Sequence, residues 1–216
     1  MRQRGSAVLA ALALTLCAAA VDAGYARAGA MVAPVEKFGG LTGGELLRES
    51  WKRELALPAD NRFRGHCLPL LEGRVLMPFP REDGVALCSA RRDTRLFVRF
   101  GASCSNVEDP PFFGADEAAQ QACARAYDQG MEAMSVTVDH GPTIDVHTPR
   151  FELLSPQGRV RLPEDNILGV PPQTATFAAH AWGGLVSELG RGQHTITFEI
   201  VHAEFGFTVS VIVDVA

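Results

Sequence analysis

Two pairs of polar residues have the spacing of metal ligands on a strand. Asp145 and His147 are two positions apart, and so are His202 and Glu204. At this spacing in a strand, both side chains point to the same face of the sheet. Carboxylates and imidazoles bind zinc and copper, and the turn at residues 139–140 could supply a third ligand. A half-buried sheet needs alternating polar residues in any case, so a solvated sheet face is the simpler interpretation.

Two acidic loops contain the oxygen ligands that calcium prefers. The first loop contains Asn106, Glu108 and Asp109, and the second contains Asp165 within residues 164–166. Neither loop has the EF-hand spacing, and Asp and Asn also cap turns by bonding their own backbone. The same acids could form a glycosidase pair. Calcium is the cofactor that these loops would take, and the sequence requires none.

Four cysteines follow the N-terminal segment, at Cys67, Cys88, Cys104 and Cys123. An even number in an exported protein indicates disulfides, and four cysteines allow three pairings. We predict the pairing of neighbours, Cys67 with Cys88 and Cys104 with Cys123. Each such loop would stabilise the fold by about 3 kcal/mol in the chain-entropy model. No C-x-x-C motif is present and only His66 adjoins a cysteine, which disfavours zinc.

The sequence contains none of the common nucleophile or phosphate-binding motifs. There is no G-x-S-x-G, S-x-x-K, H-E-x-x-H or P-loop pattern, and oxidised cysteines could not act as thiol nucleophiles. We therefore assign no catalytic residue, and the sequence favours a binding protein over an enzyme.

The first 28 residues have the pattern of a bacterial secretory signal peptide. Arg2 and Arg4 precede an apolar run at residues 8–21, and small residues at alternate positions follow it. That run is too short for an ordinary membrane helix, and no later stretch is apolar enough to span a bilayer. We predict a secreted or cell-surface protein. The full chain carries a net charge of −5, and such an acidic balance disfavours binding to nucleic acid.

The remaining pattern predicts one strand-rich domain. Residues 29–41 are Gly-rich and predict a flexible lead-in, and residues 42–216 form the domain. Helices are predicted near residues 43–57, after a Thr42–Glu45 capping box, and near residues 115–127. Short alternating strands with turn signals occupy the rest, with two separate strands at 174–181 and 184–188. Together they predict a mainly β protein, an antiparallel β-sandwich of Ig-like or jelly-roll-like type with two accessory α-helices.

A Gly-rich turn precedes His194 where a late strand begins. In Ig-like sandwiches, an aromatic ring at such a position bonds back to the backbone of its own corner. An imidazole N–H of His194 could take that role, so we interpret His194 as a structural corner residue.

Three motifs carry a resemblance to a known group of proteins. They are CSNVE-D-PPFFG at 104–114, DNILGVP at 165–171 and GQHTI at 192–196. With these motifs, residues 42–215 resemble an uncharacterised family of exported bacterial β-rich proteins that has no assigned activity. The resemblance implies export, a Cys104–Cys123 bond and a β-rich fold, and it implies no catalytic residue. Where that family often has Tyr-Trp, this chain has Ala-Trp-Gly-Gly at 181–184, and the two glycines would weaken a strand.

These observations predict an extracellular binding or surface-interaction module for a carbohydrate or protein partner. Two alternatives remain open. One is a secreted hydrolase, either a glycosidase or metal-dependent, that uses the loop carboxylates. The other is a subunit of an extracellular assembly that pairs an edge strand with a neighbour or with a second copy of itself.

Overall fold

The computed structural model describes residues 31–32, 37–187 and 189–216, with side chains from residue 37 onward. The predicted signal peptide at 1–28 and part of the lead-in at 29–41 lie outside the described residues. The strands are β1 (Met31–Val32), β2 (His66–Leu70), β3 (Val75–Phe79), β4 (Val85–Ala90), β5 (Arg95–Ser105), β6 (Met131–Val138), β7 (Ile144–Asp145), β8 (Glu152–Leu154), β9 (Gly158–Arg161), β10 (Thr174–Val186), β11 (Gly192–His202) and β12 (Phe205–Val215).

Both predicted helices are present. Helix α1 (Gly43–Leu55) begins with the predicted capping box, in which Thr42 and Glu45 bond each other's backbone N–H. Helix α2 (Glu117–Asp128) begins two residues later than predicted, because the Asp116 side chain caps it by accepting from the Ala119 N–H at 2.9 Å. Neither helix has the length and apolar composition that crossing a bilayer requires.

The protein is mainly β, as predicted, but its strands form one curled sheet. The strand order is β1-β10-β5-β3-β2-β4-β12-β11-β6-β7, with β8 and β9 also paired to β10. The sheet is mixed: β2 and β12 each run parallel to β4, and β3 runs parallel to β5. A purely antiparallel arrangement is therefore wrong, and the sandwich is not confirmed. The long, twisted strands coil the sheet into a half-barrel that buries its own concave face.

Each face of the curled sheet carries its own core. The concave face buries side chains from β5, β6, β11 and β12, including Val98, Ile196 and Val211. The opposite face packs against α1 through Leu46 and Leu47. Strand alternation explains this division, because successive residues of one strand point to opposite faces.

Both predicted disulfides are present, and each one joins two elements. Cys67 of β2 is bonded to Cys88 of the neighbouring parallel strand β4. Cys104 of β5 is bonded to Cys123 of α2, which holds the helix against the strand pair β5–β10. The second bond therefore anchors one end of the concave face.

The two glycines at 183–184 do not interrupt their strand. Strand β10 continues from Thr174 to Val186, so the prediction of two separate strands there is wrong. A Cβ at Gly183 would lie 2.5 Å from the Val98 carbonyl oxygen, and one at Gly101 would collide with the His180 carbonyl. Glycine is needed at these positions because β5 and β10 approach each other too closely for a side chain.

We expect Gly101→Ala to lower the free energy of unfolding by about 1–3 kcal/mol, the usual cost of forcing atoms into a packed site. Gly190→Ala is the matched control, because no described atom lies within 4 Å of a Cβ at that position. Urea denaturation of both variants checks the prediction. Equal stability of the two variants would contradict the close approach of β5 and β10.

Candidate functional site

The candidate metal ligands Asp145 and His147 lie at the end of β7 and have other partners. The Asp145 Oδ1 accepts from the His147 N–H at 2.9 Å, which is a local turn bond. The His147 ring packs edge-on to Trp182 with centroids 4.5 Å apart. Within residues 37–187 and 189–216, no three His, Cys, Asp or Glu side chains converge as a metal site would require.

The residues of the first acidic loop also have partners within the fold. The Asn106 Oδ1 accepts from the Thr176 N–H at 2.8 Å, and the Glu108 Oε2 accepts from the Ser105 hydroxyl at 2.8 Å. Burial raises the pKa of Glu108, against the opposing effect of the Ser105 hydrogen bond. Asp109 is exposed, and its carbonyl oxygen accepts from the Phe112 N–H.

The second acidic loop is organised by the asparagine of its motif. The Asn166 amide donates to the carbonyls of Pro163 and Val170, and its oxygen accepts from the Leu168 and Val170 N–H groups. The Asp165 carbonyl accepts from the Ala59 N–H. The DNILGVP motif therefore has a structural explanation as a loop built around one buried amide.

His194 makes the contact that its interpretation as a corner residue requires. Its Nε2 lies 2.9 Å from the Gly190 carbonyl oxygen, and its Nδ1 lies 2.9 Å from the Asp139 Oδ2. Both partners are acceptors, so the buried ring donates at both nitrogens only when it is protonated. Burial opposes that charge, but the hydrogen bonds that the ring donates to Asp139 and to the Gly190 carbonyl outweigh it and raise the pKa of His194 above 6.5.

A second buried histidine, which the sequence analysis missed, lies between two carboxylates. The His180 Nδ1 is 2.7 Å from the Asp128 Oδ2, and its Nε2 is 3.0 Å from the Glu152 Oε1. Burial raises the pKa of Asp128, against the hydrogen bonds from His180 and the Ala102 N–H. These three side chains, His180, Asp128 and Glu152, join β10, α2 and β8 at the end of the concave face. We name them the clamp.

A chain of aromatic rings begins beside this clamp. Tyr127 precedes the clamp's Asp128, and neighbouring ring centroids are 4.5–6.4 Å apart, within the range of stacked and edge-on pairs. We name this chain of six rings the aromatic strip. Its members are Phe112, Tyr127, His202, Phe205, Phe207 and Phe100. Tyr127 and Phe207 are each 40% exposed, so the strip presents ring surface to solvent.

The aromatic strip ends at a cavity of about 300 Å³ between β3 and β5, which we name the slot. The two strands pair only at Val75↔Arg95 and Leu76↔Leu96 and then separate. Met77–Pro80 lines one side of the slot, and Phe97–Gly101 lines the other. Phe207 belongs to both the aromatic strip and the slot wall.

One charged pair lies on the α1 side of the slot. Arg99 is paired with Glu54, donates from Nε to the Ser50 hydroxyl at 2.9 Å, and lies 4.2 Å above the Trp51 ring. Burial of both partners and the stacking on Trp51 hold this guanidinium in place. Among the residues that line the slot, Arg99 and Glu54 are the charged ones.

The structure brings together residues other than those proposed from the sequence. The proposed ligands at the end of β7 and in the two acidic loops each bond or pack with partners of their own. The residues that come together form the clamp, the aromatic strip and the slot. Of these three features, only the slot could have been inferred from the sequence. Pro78 lies within β3 and Pro80 follows directly after its end, and a proline within a strand indicates an edge or an interrupted ladder.

No family model, curated protein or solved structure matches this chain. The resemblance to exported β-rich bacterial proteins therefore stays a prediction, and the geometry alone must support a function.

We expect His194 to make the fold more stable at about pH 6 than at about pH 9. Because its pKa is raised in the folded state, its contribution is complete below the unfolded value and is lost as the pH rises through the folded value. Urea denaturation of the protein and of His194→Phe should show a stability difference that shrinks across this range. A difference that grows or stays constant would contradict the assignment.

We expect His180→Phe to lower the free energy of unfolding by about 3 kcal/mol, because it leaves the buried Asp128 carboxylate without its main partner. Glu152→Gln is the control, since that carboxylate is 37% exposed and its replacement should cost about 1 kcal/mol or less. Denaturant titration compares the two variants. A loss in Glu152→Gln as large as in His180→Phe would contradict the role of Asp128.

Proposed function

We propose that the protein is an extracytoplasmic binding module whose binding surface is the aromatic strip and the slot. The observation that carries this proposal is the continuity of the two: a row of partly exposed rings leads directly into a concave site. Exposed ring surface that is contiguous with a cavity is typical of a ligand-binding surface.

The composition of the slot supports binding rather than catalysis. Most lining residues are apolar, and the two charged ones, Arg99 and Glu54, neutralise each other. A hydrolase that used the loop carboxylates would need them free to act on a substrate, whereas the Glu108 carboxylate accepts from the Ser105 hydroxyl beside its own loop. We therefore favour the binding module over the hydrolase.

The cellular location remains part of the proposal. Two disulfides persist best in an oxidising compartment, and the N-terminal pattern predicts export to such a compartment. The binding role does not depend on the predicted sandwich, because a curled sheet also positions rings and loops on a rigid frame.

The proposal predicts that the apolar dye 1-anilinonaphthalene-8-sulfonate binds to the folded protein and accepts energy from Trp51, which lines the slot. The chain has two tryptophans, so Trp182→Phe leaves Trp51 as the single donor. Phe207→Ser should weaken dye binding about tenfold, the effect of about 1.4 kcal/mol of lost ring contact.

Phe113→Ser is the matched control for this experiment. Phe113 is 47% exposed, close to the 40% of Phe207, but it makes none of the ring contacts of the aromatic strip. The proposal requires that this variant binds the dye like the unaltered protein. Equal weakening by both substitutions, or no energy transfer from Trp51, would contradict the proposed binding surface.

A further inference from the structure

We propose that the slot binds an extended polypeptide segment of a partner protein as an added strand along β5. This inference rests on the proposed binding function and names its ligand class. It depends on which backbone groups face the slot, on where the slot lies relative to the sheet, and on the side chains of its two walls.

The backbone groups of β5 that face the slot belong to its odd-numbered residues. The Arg95 N–H donates to the Arg74 carbonyl, which lies on the β3 side. The Asn106 N–H, at an even position, donates to the carbonyl of Thr176 in β10. The β5–β10 register runs without a shift from Leu96 to Ser105. Because alternate residues of a strand direct their N–H and C=O to opposite sides, Arg99 presents both groups to the slot.

The facing edge of β3 cannot use those groups. The Gly65 N–H donates to the Phe79 carbonyl, so the odd residues of β3 face β2 and the even ones face β5. The next even position after Leu76 is Pro78, and the one after that is Pro80. Proline has no N–H, so the donor that would pair with the Phe97 carbonyl is missing and the ladder ends.

The slot lies in the plane of the sheet, where a further strand would lie. Phe97 and Arg99 line it from the α1 face, and Val98 and Phe100 line it from the concave face. A cavity on one face of a sheet would be lined by one of these sets only. Among the residues that the structure describes, no strand pairs with this side of β5 between Leu96 and Ser105. At Ser105 the backbone N–H and carbonyl are bonded to the segment 112–114.

An extended segment satisfies this site better than a compact ligand does. It carries N–H and C=O groups on both edges, so it can pair with β5 and can also donate to the carbonyls of Pro78 in β3 and of Pro80 just after it. Its alternating side chains would meet two different walls. One set would face Phe100, Phe207 and Ile200, and the other would face Trp51 and the Arg99–Glu54 pair. The preferred segment therefore alternates apolar and neutral polar residues.

The test uses the capped peptide acetyl-Thr-Val-Thr-Val-Thr-amide and two matched analogues. One analogue is N-methylated at both valines, and the other at the three threonines, so each has lost the N–H groups of one peptide edge. Binding is measured by calorimetry and by the Trp51 fluorescence of the Trp182→Phe protein. We expect the parent peptide to bind and both analogues to bind more weakly. The analogue that loses the N–H groups facing β5 should lose at least about tenfold in affinity, and the other should lose less, because its edge can only donate to the proline carbonyls on the β3 side.

The variant Pro78→Val tests the same inference by changing the protein instead of the peptide. It restores a donor opposite the Phe97 carbonyl, so it should let β3 pair further with β5, narrow the slot and weaken peptide binding at least about tenfold. Pro69→Val is the matched control, because Pro69 lies in β2, which β3 separates from β5. This control should bind the peptide like the unaltered protein.

Three results would overturn strand addition. They are a parent peptide that does not bind, two analogues that bind like the parent, and a Pro78→Val protein that binds as well as the control. If the dye still binds at Phe207 in any of these cases, the binding module stands and only the peptide ligand is wrong. If neither dye nor peptide binds, the proposed function fails as well.

Discussion

The missing N–H groups of Pro78 and Pro80 determine the shape of the surface that we propose for binding. A sheet holds together through its ladder of hydrogen bonds. Pro78 in β3 and Pro80 just after it remove two successive donors from the edge that faces β5. Strands β3 and β5 therefore pair at two positions and then separate, leaving the slot between them. The slot gives the exposed rings of the aromatic strip a concave site to lead into, and it leaves backbone groups of β5 open to a ligand.

Two strands that do not pair with each other must be held in place by their other neighbours. On one side, the Cys67–Cys88 disulfide ties β2, the neighbour of β3, to β4. On the other side, β5 is paired with β10 along ten residues of register, and the Cys104–Cys123 disulfide and the His180 clamp hold α2 against both strands. The Arg99–Glu54 pair fixes the middle of β5 to α1. These contacts allow an unpaired strand edge to remain extended rather than collapse onto β3.

Local patterns in the sequence predicted local features of the structure, and the long-range features lay beyond them. The capping box at Thr42, the two helices and the neighbouring cysteine pairs depend on residues close in sequence. The His194 ring finds an acceptor at Gly190, four residues away, whereas His180 finds its partners 52 and 28 residues away. Alternation shows which residues of a strand are buried but not which strand lies beside it, so a half-barrel and a sandwich give similar patterns. Pro78 and Pro80 are visible in the sequence, but their effect depends on β5 being the neighbouring strand.

Amide hydrogen exchange along β5 in the free protein tests the central claim most directly, because it reports each backbone N–H separately. The account predicts that the Arg99 amide, which faces the slot, exchanges at least about 100-fold faster than the amides of Val98 and Phe100, which face β10. Equal protection of all three amides would show that a partner already occupies this edge of β5, and it would contradict the open slot.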